Sequence, residues 1–342
     1  MKQINTKYKR IKQIISDLNL PDYRYEQLTK AIFYQRVDNF DDMYILPKEL
    51  RAALVNEFGN SVSSVTSVFL QDSKQAQKLL FKLYDGERIE AVGLKYKQGW
   101  ESFCISSQCG CGFGCSFCAT GTTGFKRNLT VDEITDQLLY FHLKGHKLSS
   151  VSFMGMGEPF SNPNIFDAVK ILTTPDLFGL SQRRITISTI GIIPCIQKLT
   201  REFPQVNLAF SLHSPFDNQR SELMPINDQF PLHEVMRTLD EHIKHTGRRV
   251  FIAYIMLGGI NDSNEHAEAV VNILRGRGSW EHLYHIDLIP YNCTEKTSLR
   301  FKESVCIKQF CRILKKAGIS VTVRTQFGSD ISAACGQLCY EN

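Results

Sequence analysis

From Glu101 to Arg324, short apolar runs of strand length alternate with longer segments of helical periodicity, and this alternation limits the available architectures more than any other feature of the chain. The strand candidates are "SFCIS", "SVSFM", "RITIST", "VNLAFSL", "VFIAYIM", "YHIDLI" and "SVTVR". Parallel neighbours in one sheet need a crossover of a dozen or more residues, usually a helix, and the crossover is right-handed. Strand–helix units repeated in this way predict an α/β fold whose parallel strands curl into a partial (β/α)6 barrel, with too few units for eight-fold closure. The clearest helix is "TVDEITDQLLYFHLKG", where Thr130 and Glu133 form a capping box, Ile134, Leu138 and Phe141 make one apolar stripe, and Gly145 closes the end. In such folds the reactive groups gather in the loops that leave the C-terminal ends of the strands.

The segment before the repeat is different. Residues 5 to 57 show helical spacing broken at Asn19 to Asp22 and at Asn39 to Asp42, and "LLFKLYDGERIEAVGLKY" predicts a hairpin turning on Asp85-Gly86. The expected organisation is a helical accessory domain over 1–75, a hairpin linker over 76–97, a core over 98–333 and a tail over 334–342. With 342 residues, 43% of them hydrophobic, the chain can bury a full core. No apolar run is long enough to span a bilayer and the N-terminus has no apolar h-region, so a cytoplasmic protein without membrane contact is expected. Near the N-terminus Lys2, Lys7, Lys9, Arg10 and Lys12 face one acid, Asp17. Such a cluster suits a polyanion, or equally an ordinary solvated helix face.

Eleven cysteines in a chain without an export signal argue against a disulfide framework and for metal binding or thiol chemistry. The stretch "ESFCISSQCGCGFGCSFCATGTTG" places Cys111, Cys115 and Cys118 at C-x3-C-x2-C spacing, directly after the first strand of the repeat. Three thiolates can hold three irons of a [4Fe–4S] cube and leave the fourth iron open to a chelating ligand. A structural zinc site needs a fourth protein ligand, for which Cys104 and Cys109 are at hand and no histidine is until His142. Spacing alone leaves both possibilities open, along with inert core thiols.

The C-x3-C-x2-C motif with Phe117 before its last cysteine resembles that of the radical S-adenosylmethionine (SAM) superfamily. The resemblance implies that SAM chelates the open iron. It also assigns SAM contacts to Gly157 and Glu158 in "SFMGMGEP", Ser188 in "ISTIG", Ser211, Leu212 and His213 in "FSLHS", and Asn292 in "PYNC". Taken singly, each polar residue among them reads as a strand-end cap. From "PDYR" to "ACGQL" the chain resembles the adenosine methyltransferases of 23S rRNA and tRNA and their Cfr-type relatives.

That resemblance implies a specific chemistry. Adenine C2 and C8 are electron-poor carbons that offer no nucleophile for a polar methyl transfer, so a radical route is needed. Cys335 would carry the methyl group, Glu90 would accept a proton, and Cys104 would form a transient disulfide with Cys335, with two SAM molecules used per turnover. Cys195, Cys306 and Cys311 read as packing thiols, while Cys109, Cys293 and Cys339 have no assigned role. The strings "WESFCISSQCGC", "FHLKGH", "STIGIIP" and "RTQFGSDISAACGQL" side with the C8 branch, whereas Pro159 in "GMGEP" and Pro290 in "IPYN" are features of the C2 branch.

The expectation is therefore C8 methylation of an adenosine at the peptidyl transferase centre of 23S rRNA, with resistance to antibiotics that bind there. The expected partners are 23S rRNA, reached through "FKRN", "SQRR" and "TGRR" together with the accessory region, and an electron donor such as flavodoxin; a monomer is expected. The alternatives are C2 methylation of 23S rRNA and tRNA, and a zinc-bearing RNA-binding protein without enzymatic activity.

Overall fold

The computed structural model describes residues 6–293, 297, 300–328, 331 and 336–338. The predicted repeat is present as seven parallel strands: β4 (Glu101–Cys104), β7 (Ser150–Phe153), β8 (Ile185–Thr189), β9 (Asn207–Ser211), β10 (Val250–Met256), β11 (Tyr284–Pro290) and β12 (Ser320–Val323). They lie side by side in sequence order, so every crossover steps to the next strand in the same direction. The crossover helices are α5 (Val131–Leu143), α6 (Ile165–Thr173), α7 (Ile193–Glu202), α9 (Leu232–Thr246), α10 (Asn264–Arg275) and α11 (Ile307–Lys316), with the short α8 (Asp217–Leu223) before α9. The capping box of α5 forms as read, with Thr130 accepting from the Glu133 amide and Glu133 accepting from the Thr130 amide.

On the outward side of these strands Val151, Phe153, Ile187, Leu208, Phe210 and Ile252 are fully buried beneath the helices. The inward side carries Ser102, Ser152, Thr186, Ser188, Ser211 and Thr322. Closed eight-stranded barrels fill their lumen with large branched side chains. Small polar side chains leave this lumen unfilled, so the interior is a cavity rather than a core.

β4 pairs antiparallel with β3 (Arg88–Lys95), which pairs with β2 (Ala76–Lys82) through the turn at Asp85-Gly86. Sequence reading placed residues 66–75 in the helical accessory region, but Thr66–Asp72 forms a further strand, β1, on the free edge of β2. The run "TSVFLQD" is rich in β-branched and aromatic residues and lies beside an unpaired strand edge, which decides its conformation. Helices α1 (Lys7–Asp17), α2 (Tyr23–Phe33) and α3 (Lys48–Phe58) pack around Ile11, Leu28, Ile32, Phe40, Leu50 and Leu54, with Leu139 of α5 completing that cluster.

The basic clusters are partly committed to structure. Lys7 is buried, where it pairs with Asp136 of α5 and donates to the Val62 carbonyl at 2.9 Å. Arg10 pairs with Glu57 at 2.7 Å, and Lys2 lies outside the described residues. Arg127 of "FKRN" is held between Asp85 and Glu133. "SQRR" and "TGRR" immediately precede β8 and β10, at the opposite end of the barrel from the cysteine loop.

Candidate active site

Cys104 ends β4 with its side chain on the lumen face, because Phe103 turns outward onto Phe141 with ring centroids 4.6 Å apart. The chain then makes a turn gripped from behind. Gln137 accepts from the Ser106 amide at 2.8 Å and donates to the Ser106 carbonyl at 2.9 Å, while the Ser106 hydroxyl donates to the Glu90 carbonyl at 2.6 Å. A small antiparallel pair follows, β5 (Gln108–Gly110) with β6 (Phe125–Asn128), and the short helix α4 (Ala119–Thr122) lies between them. Gly110 sits at φ 72°, and a Cβ there would lie 1.8 Å from the Gly124 carbonyl oxygen, so only glycine closes this frame. Inside the frame are Cys111, Cys115 and Cys118, with the Ser116 amide tied to the Leu223 carbonyl of α8 at 3.0 Å.

These three thiols line one cavity of about 180 Å³ together with Gly157, Glu158, Ser188, Ser211 and His213. Burial pushes the Cys111 thiol up to about 11 and holds Cys115 well above its ordinary value of 9.0. Without a bound cation both thiols stay protonated at neutral pH. A cationic metal centre supplies the compensating charge, which is the chemical sense of the donor set. Three thiols on one cavity wall are a donor set that fits a cationic iron–sulfur cluster.

The rest of the cavity is prepared for a charged ligand. Glu158 accepts from the Thr189 hydroxyl at 2.7 Å and from the Ile190 and Phe160 amides at 3.0 and 3.1 Å. Burial nevertheless outweighs these donors and pushes its carboxyl up to about 7, a state that a nearby ammonium group relieves. Gly157, at φ 93°, is required by the chain's own packing as much as by a ligand, since a Cβ there would meet the Gln108 side chain at 2.5 Å.

His213 adopts a left-handed φ of 57°, and its Nδ1 accepts from the Ile255 amide at 3.0 Å. Burial holds this imidazole down to about 3, so the ring is neutral with its hydrogen on Nε2, a donor within the cavity. Arg220, which the sequence reading missed, is completely buried with its guanidinium over the Phe210 ring, 5.1 Å from the centroid. It donates to the Leu212, Ser211 and Ile190 carbonyls at 3.2, 3.1 and 2.9 Å, while the Leu212 side chain is buried in the core and is not part of the cavity lining. Its charge draws the Cys115 thiol downward, against the larger effect of burial.

Asn292 is apart from this group. It accepts from Gln326 at 3.0 Å and lines a second, larger cavity of about 370 Å³ that runs down the lumen. Cys104 and Ser152 face this second cavity, and Met154, Ile289 and Arg324 belong to the walls of both. Arg324, also missed, lies 3.4 Å from Asp287; its only trace in the sequence is a basic residue ending the predicted strand "SVTVR". Glu90 lies on the same face of β3 as Val92 and Leu94, which line the larger cavity, but one level beyond the Val92–Cys104 pair. It is buried there and paired with Lys78 at 2.6 Å.

Cys335 and Cys339 lie outside the described residues. Gly336, next to Cys335 in sequence, accepts from the Ala119 amide at 3.1 Å, and the Leu338 carbonyl accepts from the Thr120 hydroxyl. The tail is thus fastened to α4, the helix that begins directly after Cys118. Cys195 and Cys311 pack against the core as expected, Cys306 is a half-buried helix cap, Cys109 is buried, and Cys293 is exposed.

A family model described as the radical SAM superfamily matches residues 105–272. "Ribosomal RNA large subunit methyltransferase Cfr" of Clostridium botulinum (strain Langeland) is 79% identical over 342 residues, covering 100% of this chain and 99% of that one. The protein of the same name from Lachnoclostridium phytofermentans is 67% identical over 338 residues, 98% of each chain. Among solved structures, a radical SAM methyltransferase from Sphaerobacter thermophilus superimposes with a TM-score of 0.91 at 37% identity, covering 99% of both chains.

Proposed function

The chain belongs to the radical SAM superfamily and, within it, to the Cfr family of large-subunit ribosomal RNA methyltransferases, and from this we propose that it methylates C8 of an adenosine at the peptidyl transferase centre of 23S rRNA. The observation that supports the reading is the junction of the two cavities. The three cysteines share one cavity with Glu158, Ser188, Ser211 and His213, and it meets the cavity of Cys104 across Met154 and Arg324. The C8 branch is preferred on the strings around Cys109 and "TQFGSD".

A [4Fe–4S] cluster and SAM, when bound, would supply a 5′-deoxyadenosyl radical on receipt of an electron from an external donor such as flavodoxin. Cys111, Cys115 and Cys118 are the cluster ligands. Gly157, Glu158, Ser188, Ser211, Leu212, His213 and Asn292 hold SAM, with the Glu158 carboxylate matched to its ammonium group. Cys335 first takes a methyl group from one SAM, then loses a hydrogen atom of that methyl at the expense of a second. Its sulfur-bound methylene radical would add to C8, joining protein and RNA, and the adduct would give up one electron, returned to the oxidised cluster. Glu90, a carboxylate facing Lys78, accepts the proton of the modified carbon. Cys104, as a thiolate, would then attack the Cys335 sulfur and break its bond to the methylene carbon, which takes a proton from solvent to become the methyl group, leaving a disulfide that two reducing equivalents reopen.

The methyl group adds bulk to a drug-binding site, so the cell becomes resistant to several antibiotics that bind there. The enzyme works as a cytoplasmic monomer. Digesting treated 23S rRNA to nucleosides tests the assignment: 8-methyladenosine supports it, and 2-methyladenosine replaces it with the C2 reading.

A further inference from the structure

The larger cavity has an aromatic end that the proposed chemistry does not use. It runs from Cys104 along the lumen to Ser102 and Tyr96, at the N-terminal end of β4, where Phe327 of the segment following β12 also lines it. Tyr96 and Trp100 stand at the base of the turn joining β3 to β4. The turn is closed by Tyr96 donating to the Trp100 carbonyl at 3.0 Å and Gly99 donating to the Tyr96 carbonyl at 2.9 Å. Their rings stack with centroids 3.7 Å apart and planes 4° from parallel, and Phe327 meets Tyr96 edge-on at 5.3 Å.

Trp100 stays 41% exposed although one face of its indole is covered by Tyr96, so its exposed area is the opposite face and edge. A large aromatic with one face fixed and the other open is a platform for a planar ligand. Lys95 and Lys97 of the same turn are exposed, the adjacent Glu101 is engaged by His146 and the Lys147 amide, and Arg184 before β8 and Arg249 before β10 are exposed at the same end of the barrel. Aromatic faces interleaved with basic side chains are the chemistry by which proteins hold single-stranded nucleic acid.

The reading of the chain as an rRNA methyltransferase, on which this inference rests, supplies the occupant. An enzyme acting on a base must receive it unstacked, and the vacated stacking energy has to be replaced. Four residues of extended chain separate Trp100 from Cys104, roughly 13 Å, the reach from a reacting base to a near neighbour in the strand. We propose that the open face of Trp100 stacks on an unpaired nucleobase flanking the target adenosine, holding the RNA while that adenosine enters the lumen toward Cys104.

The chain has two tryptophans, and the other, Trp280, packs against the core in the turn before β11. Trp280→Phe therefore leaves Trp100 as the sole indole emitter. The full-length, cluster-loaded W280F protein is titrated with an RNA hairpin carrying unpaired adenosines in its loop, and binding is followed in parallel by filter retention. Stacking predicts that indole emission falls in step with retention. It also predicts that Trp100→Ala weakens retention about ten-fold, while Trp100→Phe recovers most of the loss. Retention with unchanged Trp100 emission, or W100A affinity within two-fold of native, overturns the inference and leaves the methyltransferase reading intact. Failure of the native protein to retain the RNA at all counts against both.

Discussion

A thiol at position 104 faces the lumen because its neighbour Phe103 faces away from it, and the proposed chemistry depends on that alternation. Replacing Cys104 by alanine removes the attacking sulfur without disturbing the Phe103 packing. The expected outcome is a covalent protein–RNA species that accumulates under turnover and survives denaturation, seen as a shifted band that ribonuclease collapses; free methylated RNA at native yield contradicts it. Cys104 and Glu90 were identified in the sequence through resemblance alone, since neither a thiol nor a strand glutamate announces a role. Arg220 and Arg324 were not legible, because their significance depends on burial and on a position between two cavities. A buried imidazole gives a prediction of a different kind. Burial holds His242 of α9 down to about 4, against 6.5 for an exposed ring. Between those values the unfolded chain binds a proton that the folded one refuses, so stability is complete above pH 6.5 and is lost as pH falls toward 4, by about 3 kcal/mol in all. His242→Gln should flatten the melting temperature against pH across this window, and an unchanged slope refutes the assignment.

At the scale of elements, the seven parallel strands were readable because each is a short apolar run with a helix of clear periodicity behind it. The β5–β6 pair was not readable, since three- and four-residue strands carry no periodicity and their pairing rests on the close approach of Gly110 to Gly124 and on one bond from the Gln108 side chain to that of Asn128. Gly110→Ala should remove the frame of the cysteine loop. The expected result is a chain with native far-ultraviolet circular dichroism that fails to retain iron after anaerobic reconstitution, and normal iron content argues that the frame is dispensable. The N-terminal lysine cluster was read as a candidate for polyanion contact, but its Lys7 joins α1 to α5 through Asp136, which also accepts from the Ser64 amide at 2.7 Å. Removing one member of a buried pair strands the other charge, typically at about 3–5 kcal/mol. Lys7→Met should therefore release the three N-terminal helices to limited proteolysis well before the barrel, and Lys9→Met, at an exposed position, should not. Equal protection of the two variants refutes this role for Lys7.

For the whole molecule, the partial barrel follows from a count of strand–helix units, and its open lumen follows from serines and threonines where a closed barrel places branched side chains. Those two features put a cysteine-lined cavity and a substrate-sized cavity end to end, with the tail fastened beside the cysteine loop. The central claim is that the methyl carbon reaches RNA by way of a protein sulfur and loses one of its own hydrogen atoms on the route. Turnover with SAM bearing a fully deuterated methyl group examines that claim in one mass spectrum of the product nucleoside. Passage through Cys335 predicts a methyl group that retains two deuterium atoms and has gained one ordinary hydrogen, whereas a product with all three deuterium atoms would mean direct transfer and contradict the account.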